Sequence, residues 1–125
     1  MDAAEIERRL RELLETSAEA EGIAAAWLFG EEGVGVLFQE DSPRALESCP
    51  TALQAELERL IGAPVQLVVL NHAPPDQAMK VLHEDRLLLD QAPPRRVEFE
   101  VRTRQEYWDM EPYLRLYRHR RAWEA

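Results

Sequence analysis

Two glutamates set between glycines, Gly30-Glu31-Glu32-Gly33, are the first residues of this chain whose types and spacing suggest chemistry. They lie in the stretch WLFGEEGVGVLFQED, Trp27 to Asp41, with an apolar run on either side. Carboxylates beside glycines suit two different tasks. A glycine turn that opens a helix offers peptide N–H groups to a phosphate, and neighbouring carboxylates hold Mg²⁺. A glycine turn between two strands only reverses the chain. The spacing G-x-x-G-x-G is not the dinucleotide pattern G-x-G-x-x-G, which stands after a strand and before a helix.

The other reactive side chains are scattered. His72, His83 and His119 lack the i, i+4 pairing of a helical zinc site, and are expected to be surface or structural residues. Cys49 is the only cysteine, which excludes an internal disulfide and a cysteine-rich metal site. It precedes Pro50 in an acidic stretch, a setting that raises a thiol pKa and blunts its reactivity.

The chain has 125 residues, 46% of them hydrophobic, which suits one domain spanning 1–125. Its net charge is −9. Residues 1–62 carry 14 acidic and 5 basic groups, whereas residues 63–125 carry 10 of each. The chain end reverses sign through Arg115, Arg118, Arg120 and Arg121. So acidic a chain is a poor general ligand for nucleic acid, because that affinity comes from neutralising phosphates. No apolar run approaches the ~20 residues of a membrane span, and the acidic start MDAAEIERRL is not a secretory signal. A cytoplasmic protein is expected.

The elements that must position these residues follow from the apolar pattern. Asp2 is placed to cap a helix from Ala3, with Ile6, Leu10, Leu13 and Leu14 at helical spacing and Gly22 as its end. IAAAWLF (23–29) and VGVLFQ (34–39) read as strands, and the short link between them makes an antiparallel hairpin. The segment 40–50 reads as a loop with a short helical turn. TALQAELERLIG (51–62) reads as a helix closed by Gly62. PVQLVVLN (64–71) reads as a third strand, parallel to the second because a helix joins them. A proline-started helix carries Met79, Val81 and Leu82, RLLLDQ (86–91) is a brief extended piece, and one long helix occupies 93–125. Pro93 and Pro94 suit the start of that helix, and Pro112 inside it should kink it.

The phrases AWLFG, GAPVQLVVLNHAPP, KVLHEDRLLLDQ and EFEVRTRQEYWDMEPYLRLYR, in this order of elements, resemble the minimal nucleotidyltransferases. These are small prokaryotic members of the DNA polymerase beta-like superfamily, known as antitoxin partners of HEPN-domain toxins. The resemblance covers nearly the whole chain and is strongest from Gly62 to Arg118. It implies an α/β nucleotidyltransferase fold, with a small three-stranded mixed sheet in the order 1-2-3, an α/β core over 1–92, and a C-terminal helix over 93–125.

Family members follow the first strand with Gly-Ser, a short helix and a small-residue loop. An Asp-x-Asp opens strand two, and a third Asp lies on strand three. Residues i and i+2 of a strand share a face, so two aspartates there jointly hold Mg²⁺ on a triphosphate. Here Gly30 is followed at once by Glu31, and the serine and the phosphate helix are absent. Glu31 and Gly33 fall where the two aspartates belong, and Gln66 replaces the third. On this reading Gly30–Gly33 is a hairpin turn whose glycines supply positive φ angles, and Glu32 faces away from Glu31 if the strand extends that far. No catalytic residue, cofactor or metal ligand is assigned.

The resemblance then implies a catalytically inactive, antitoxin-like binding protein. Its partner would be a HEPN-type helical protein or a second copy of the chain, as a dimer or larger oligomer. The alternatives are an active Mg²⁺-dependent nucleotidyltransferase acting on a protein or small molecule, and a nucleotide sensor built on a dead site. Phe99, Tyr107, Trp108, Tyr113, Tyr117 and Trp123 recur at helical spacing, which usually means core. A three-stranded sheet is short for so long a helix, however, and aromatic and arginine side chains together favour interfaces. Tyr113, Tyr117, Arg118 and Arg121 are therefore the expected partner surface.

Overall fold

The structure, a computed structural model, describes residues 2–17, 20–39 and 51–124, with side chains up to residue 116 except that of 114. The expected loop at 40–50, Cys49, and the side chains of Tyr117, Arg118, His119, Arg121 and Trp123 lie outside the described residues.

Helix α1 spans Ala3–Thr16. Asp2 caps it, its side chain accepting from the Glu5 N–H at 2.8 Å. The helix stops at Ser17, short of Gly22, whose φ of 89° leads into the first strand. Strands β1 (Ile23–Phe29) and β2 (Gly33–Phe38) pair antiparallel, as the short link requires. Helix α2 (Thr51–Ile61) ends at Gly62, φ 77°, and leads to β3 (Gln66–Val69), parallel to β2.

β3 is shorter than its apolar run, because Leu70–His72 turn into a 3-10 helix. Asn71 compensates for the shortened ladder. Its side-chain amide donates to the Phe38 carbonyl and its Oδ1 accepts from the Phe38 N–H, both at 2.9 Å. The side chain thus satisfies a buried peptide that β3 no longer reaches.

Helix α3 spans Pro75–Glu84 and closes on Asp85, a left-handed residue with φ 52°. Strand β4 (Leu87–Asp90) then pairs antiparallel with β1. The sheet has four strands in the order β3-β2-β1-β4, which corrects the expected three. The extended piece at 86–91 is a true edge strand. Four residues with only Leu88 and Leu89 buried show too little alternation to announce a strand in sequence. Helix α4 runs Pro93–Glu124, with Pro112 inside it.

The period-2 alternation of β1 and β2 divides the core between the two faces of the sheet. Ala26, Val34, Val36 and Phe38 pack with Leu10 and Leu14 of α1 and Leu53 and Leu57 of α2. Ala25, Trp27 and Leu37 pack with Val81 and Leu82 of α3 and Phe99 of α4. The Trp27 and Phe99 rings lie 5.8 Å apart at a 45° tilt. Trp27 faces Gly35 across the hairpin.

A polar tie fixes the start of α4. Arg96 lies 3.0 Å from Asp90 of β4 and donates to Glu100 at 2.7 Å. The hydrogen bond to Glu100, with a smaller contribution from Asp90, pushes the Arg96 guanidinium above its already high range. Because Phe99 is the large α4 side chain buried against the sheet, Phe99→Ala is expected to destabilise by about 3 kcal/mol or more. Denaturant unfolding followed by circular dichroism measures this.

Candidate functional site

Glu31, Gly33 and Gln66 do meet at one end of the sheet. Gly33 is the register partner of Gln66, and the Gln66 N–H donates to the Glu32 carbonyl at 2.9 Å. β2 begins at Gly33, so Glu31 and Glu32 both lie in the turn. Both are exposed and line one cleft of about 180 Å³, with Glu7, Arg86 and the apolar residues Ile6, Leu28, Val34 and Ile61. The condition on which Glu32 was expected to face away from Glu31, a strand extending that far, is not met, because β2 begins at Gly33.

Glycine has two distinct roles here. Gly30 has a φ of 59°, in the left-handed region that turn geometry demands. Gly33 is not at positive φ, which corrects the expectation that both glycines serve the turn in the same way. Its constraint is steric. A Cβ at Gly33 would lie 2.5 Å from the Phe29 carbonyl oxygen and 2.6 Å from the Phe29 ring.

The peptide groups of Gly30 are already engaged. Its N–H donates to Glu84 Oε2 at 2.7 Å, and its carbonyl accepts from Arg86 Nη1 at 3.0 Å. Glu84 and Arg86 flank left-handed Asp85, so the corner between α3 and β4 grips the hairpin turn from both sides. The Leu28 N–H adds a bond to the Arg86 carbonyl at 2.9 Å. Nothing in the composition of either segment announced this pairing, because its two halves lie 54 and 56 residues apart.

The chemistry open to this end of the sheet is narrow. In the resembled family a glycine N–H at this turn receives phosphate, whereas here it receives the chain's own carboxylate. Among the described residues no group of three or more His, Cys, Asp or Glu side chains is placed to hold a metal ion. His72 and His83 are exposed and stand apart from this end.

The expected partner surface is described at Tyr113, which is 74% exposed. Phe99 is buried and Tyr107 half-buried, so the core reading of the aromatic series holds only for the first part of α4. Trp108 is 66% exposed, and Leu116, Val97, Val101 and Met110 are also exposed. These four aliphatic and thioether side chains were not singled out in the sequence, where Val97, Val101 and Met110 each stand between two charged residues.

The architecture is an α/β nucleotidyltransferase-like one: a mixed sheet between helices, with the hairpin β1–β2, the parallel β3 and a long C-terminal helix. No protein-family model and no curated protein matches the chain. Two solved structures do. One is the crystal structure of the MntA-HepT toxin-antitoxin, with 19% identity, a TM-score of 0.72, and coverage of 90% of this chain and 93% of that one. The other is the tri-AMPylated Shewanella oneidensis HEPN toxin in complex with the MNT antitoxin, with 19% identity, a TM-score of 0.73, and coverage of 90% and 92%. At this identity the likeness establishes the fold, which is that of a minimal nucleotidyltransferase.

Two outcomes test the turn. Gly33→Ala is expected to destabilise by about 2 kcal/mol, since the Phe29 carbonyl cannot yield as a flexible side chain would. Glu84→Gln retains a weaker acceptor for Gly30 and is expected to destabilise by about 1 kcal/mol or less at this exposed site. Thermal and urea unfolding of the two variants should rank them in that order.

Proposed function

We propose that this chain is a catalytically inactive, antitoxin-like binding protein whose partner is a HEPN-type helical protein. One observation carries the reading. The sheet end that would require three carboxylates for nucleotidyl transfer holds Glu31, Gly33 and Gln66, with the Gly30 N–H bonded to Glu84. A single acidic side chain among these three positions does not make a triphosphate–Mg²⁺ site. With transfer chemistry set aside, association remains as the function this fold serves. The neighbouring structures, complexes of MNT antitoxins with HEPN toxins, support that partner class.

The surface for it is the outer half of α4. From Trp108 to Leu116, every described residue except half-buried Glu111 is exposed. Trp108, Tyr113 and Leu116 fall on one side of the helix and expose apolar and aromatic area that a monomer rarely leaves bare, with exposed Met110 on the side opposite Trp108. Tyr117, Arg118 and Arg121 follow in sequence and extend it with the residue types that anchor interfaces. The competing reading, an active nucleotidyltransferase, would have to work through Glu31 and Glu32 alone.

Two measurements test the proposal. Co-expression with a HEPN-type protein encoded beside this chain should yield a complex that survives gel filtration. Trp108→Ala with Tyr113→Ala should weaken the complex by about tenfold or more, with the circular dichroism spectrum unchanged. Incubation with labelled ATP, GTP, CTP or UTP, Mg²⁺ or Mn²⁺ and the same partner should give no metal-dependent transfer. Transfer abolished by Glu31→Ala would replace this reading with the enzymatic one. A stable homodimer that excludes the HEPN protein would make a second copy the partner.

A further inference from the structure

Helix α4 carries apolar side chains on the face turned directly away from the sheet. A helix advances by about 100° per residue, so Val97, Val101 and Trp108 fall within about 40° of one another. Phe99 and Thr103, buried against the body of the protein, lie on the opposite side. Val97 is 47%, Val101 48% and Trp108 66% exposed. Beside them on the same strip stands Arg104, its side chain 45% exposed. Residues 97, 101, 104 and 108 follow the alternating spacing of four and three that makes the seam of paired helices. The seam ends before Pro112, inside the uninterrupted part of the helix. A solvent-facing strip is ordinarily polar, and this one is left uncovered by the described residues.

Charge indicates what covers it. The chain as a whole carries −9, which opposes the approach of a second copy. Residues 93–116 carry five arginines against five carboxylates, so two copies can meet along this helix without net repulsion.

Arg104 sets the direction. A parallel pair places each seam residue against its own counterpart, which brings Arg104 against Arg104 of the second copy, like charges in contact. An antiparallel pair, with its two-fold axis between Val101 and Arg104, exchanges them. Val97 then meets Trp108 of the second copy, a small side chain against a wide one, and Val101 meets Arg104. Past Val101, the guanidinium of Arg104 reaches Glu100 of the second copy, which flanks the seam on that edge. Glu100 accepts from its own Arg96 at 2.7 Å through Oε1. Its Oε2 lies 3.7 Å from its own Arg104, beyond hydrogen-bond range, and so has acceptor capacity left.

We propose that this outward seam of α4 is a self-association surface, on which a second copy of the chain docks antiparallel as a weak two-fold symmetric dimer. Its size sets its strength. Four side chains over about three turns cover less than the ~800 Å² per partner of a standard interface, so the dimer fills only at high concentration. The proposal does not rest on a HEPN-type partner. Trp108 is common to the two surfaces, so a partner that covers it displaces the second copy, whereas Tyr113 and Leu116 take no part in the seam.

The test uses the full chain alone, in sedimentation equilibrium from about 10 μM to 1 mM. The average mass should rise with concentration from monomer toward dimer. Val101→Arg sets two arginines together on each side of the axis and should weaken the dimer by about tenfold or more. Arg104→Glu faces Glu100 of the second copy and should weaken it likewise. Mixed in equal amounts, these two variants should associate with each other, because the new arginine of one faces the new carboxylate of the other. Each should keep the wild-type circular dichroism spectrum, since both positions are exposed. Val97→Gln removes the apolar contact to Trp108 and should weaken the dimer severalfold. It carries the test with Val101→Arg if Arg104→Glu disturbs the Glu100–Arg96 tie and the fold. A wild type that stays monomeric to about 1 mM, a dimer undiminished by Val101→Arg, or two well-folded variants that fail to associate when mixed would each overturn the assignment. None of these outcomes bears on whether the outer half of α4 holds a HEPN-type protein.

Discussion

The peptide of Gly30 is the point on which this version of the fold turns. Its N–H is held by Glu84 and its carbonyl by Arg86, two residues on either side of one left-handed corner. That arrangement is possible only because β1 passes into β2 through a three-residue link with no helix between them. With a helix inserted after β1, the Gly30 N–H would belong to a helix start and be open to a phosphate. With the direct hairpin it becomes an internal donor, and the α3–β4 corner closes over it. The residues Glu31 and Gly33 and the engaged Gly30 N–H thus belong to one and the same direct hairpin. The same hairpin brings Gly33 against Phe29, so the position that would carry a carboxylate has no room even for a Cβ.

Much of the fold was legible in the sequence wherever a strong local rule applied. Asp2 as a helix cap and Gly62 as a helix end follow from the geometry of helix termini, and the structure has both. The hairpin followed from link length, and the parallel β2–β3 pairing from the helix between the two strands. What stayed hidden depended on contacts distant in sequence. β4 is a strand because β1 offers it an edge, not because LLLD announces one. The 3-10 turn at Leu70–His72 interrupts a β-branched run, and the Asn71 bond to Phe38 that makes this tolerable spans 33 residues. Gly33 was correctly singled out but for the wrong cause, since a close approach to Phe29 and a positive φ leave the same glycine in the sequence.

The candidate sites divide in the same way. Glu31, Gly33 and Gln66 were placed together by the resemblance to the minimal nucleotidyltransferases, and the β2–β3 pairing sets Gly33 opposite Gln66 at one end of the sheet. The burial of Arg95 was invisible, because one of the chain's fourteen arginines, eight of them in α4, carries no mark of burial. Only the packing of α4 shows that Arg95, with Glu98 at 3.9 Å, and Arg96, with Asp90 at 3.0 Å and Glu100 at 2.7 Å, are held to different degrees although adjacent in sequence.

Helix α4 shows most clearly how one element serves two purposes. Its first part is held by the Arg96 ties and by Phe99 and Thr103, all facing the body of the protein. Beyond Tyr107 the sheet and α3 provide no further cover, yet large apolar side chains continue. Intrahelical pairs such as Arg115–Glu111 sit on this exposed stretch, where each is worth only a few tenths of a kcal/mol. Helical propensity and such pairs leave an extension of this length marginal, and most helical stability in proteins comes from burying a face. The exposed Trp108 and Tyr113 are the side chains on which the proposed partner surface rests. A partner that buried them would stabilise the outer half of α4 by mass action, whereas the inner half is already anchored by Phe99 and the Arg96 ties.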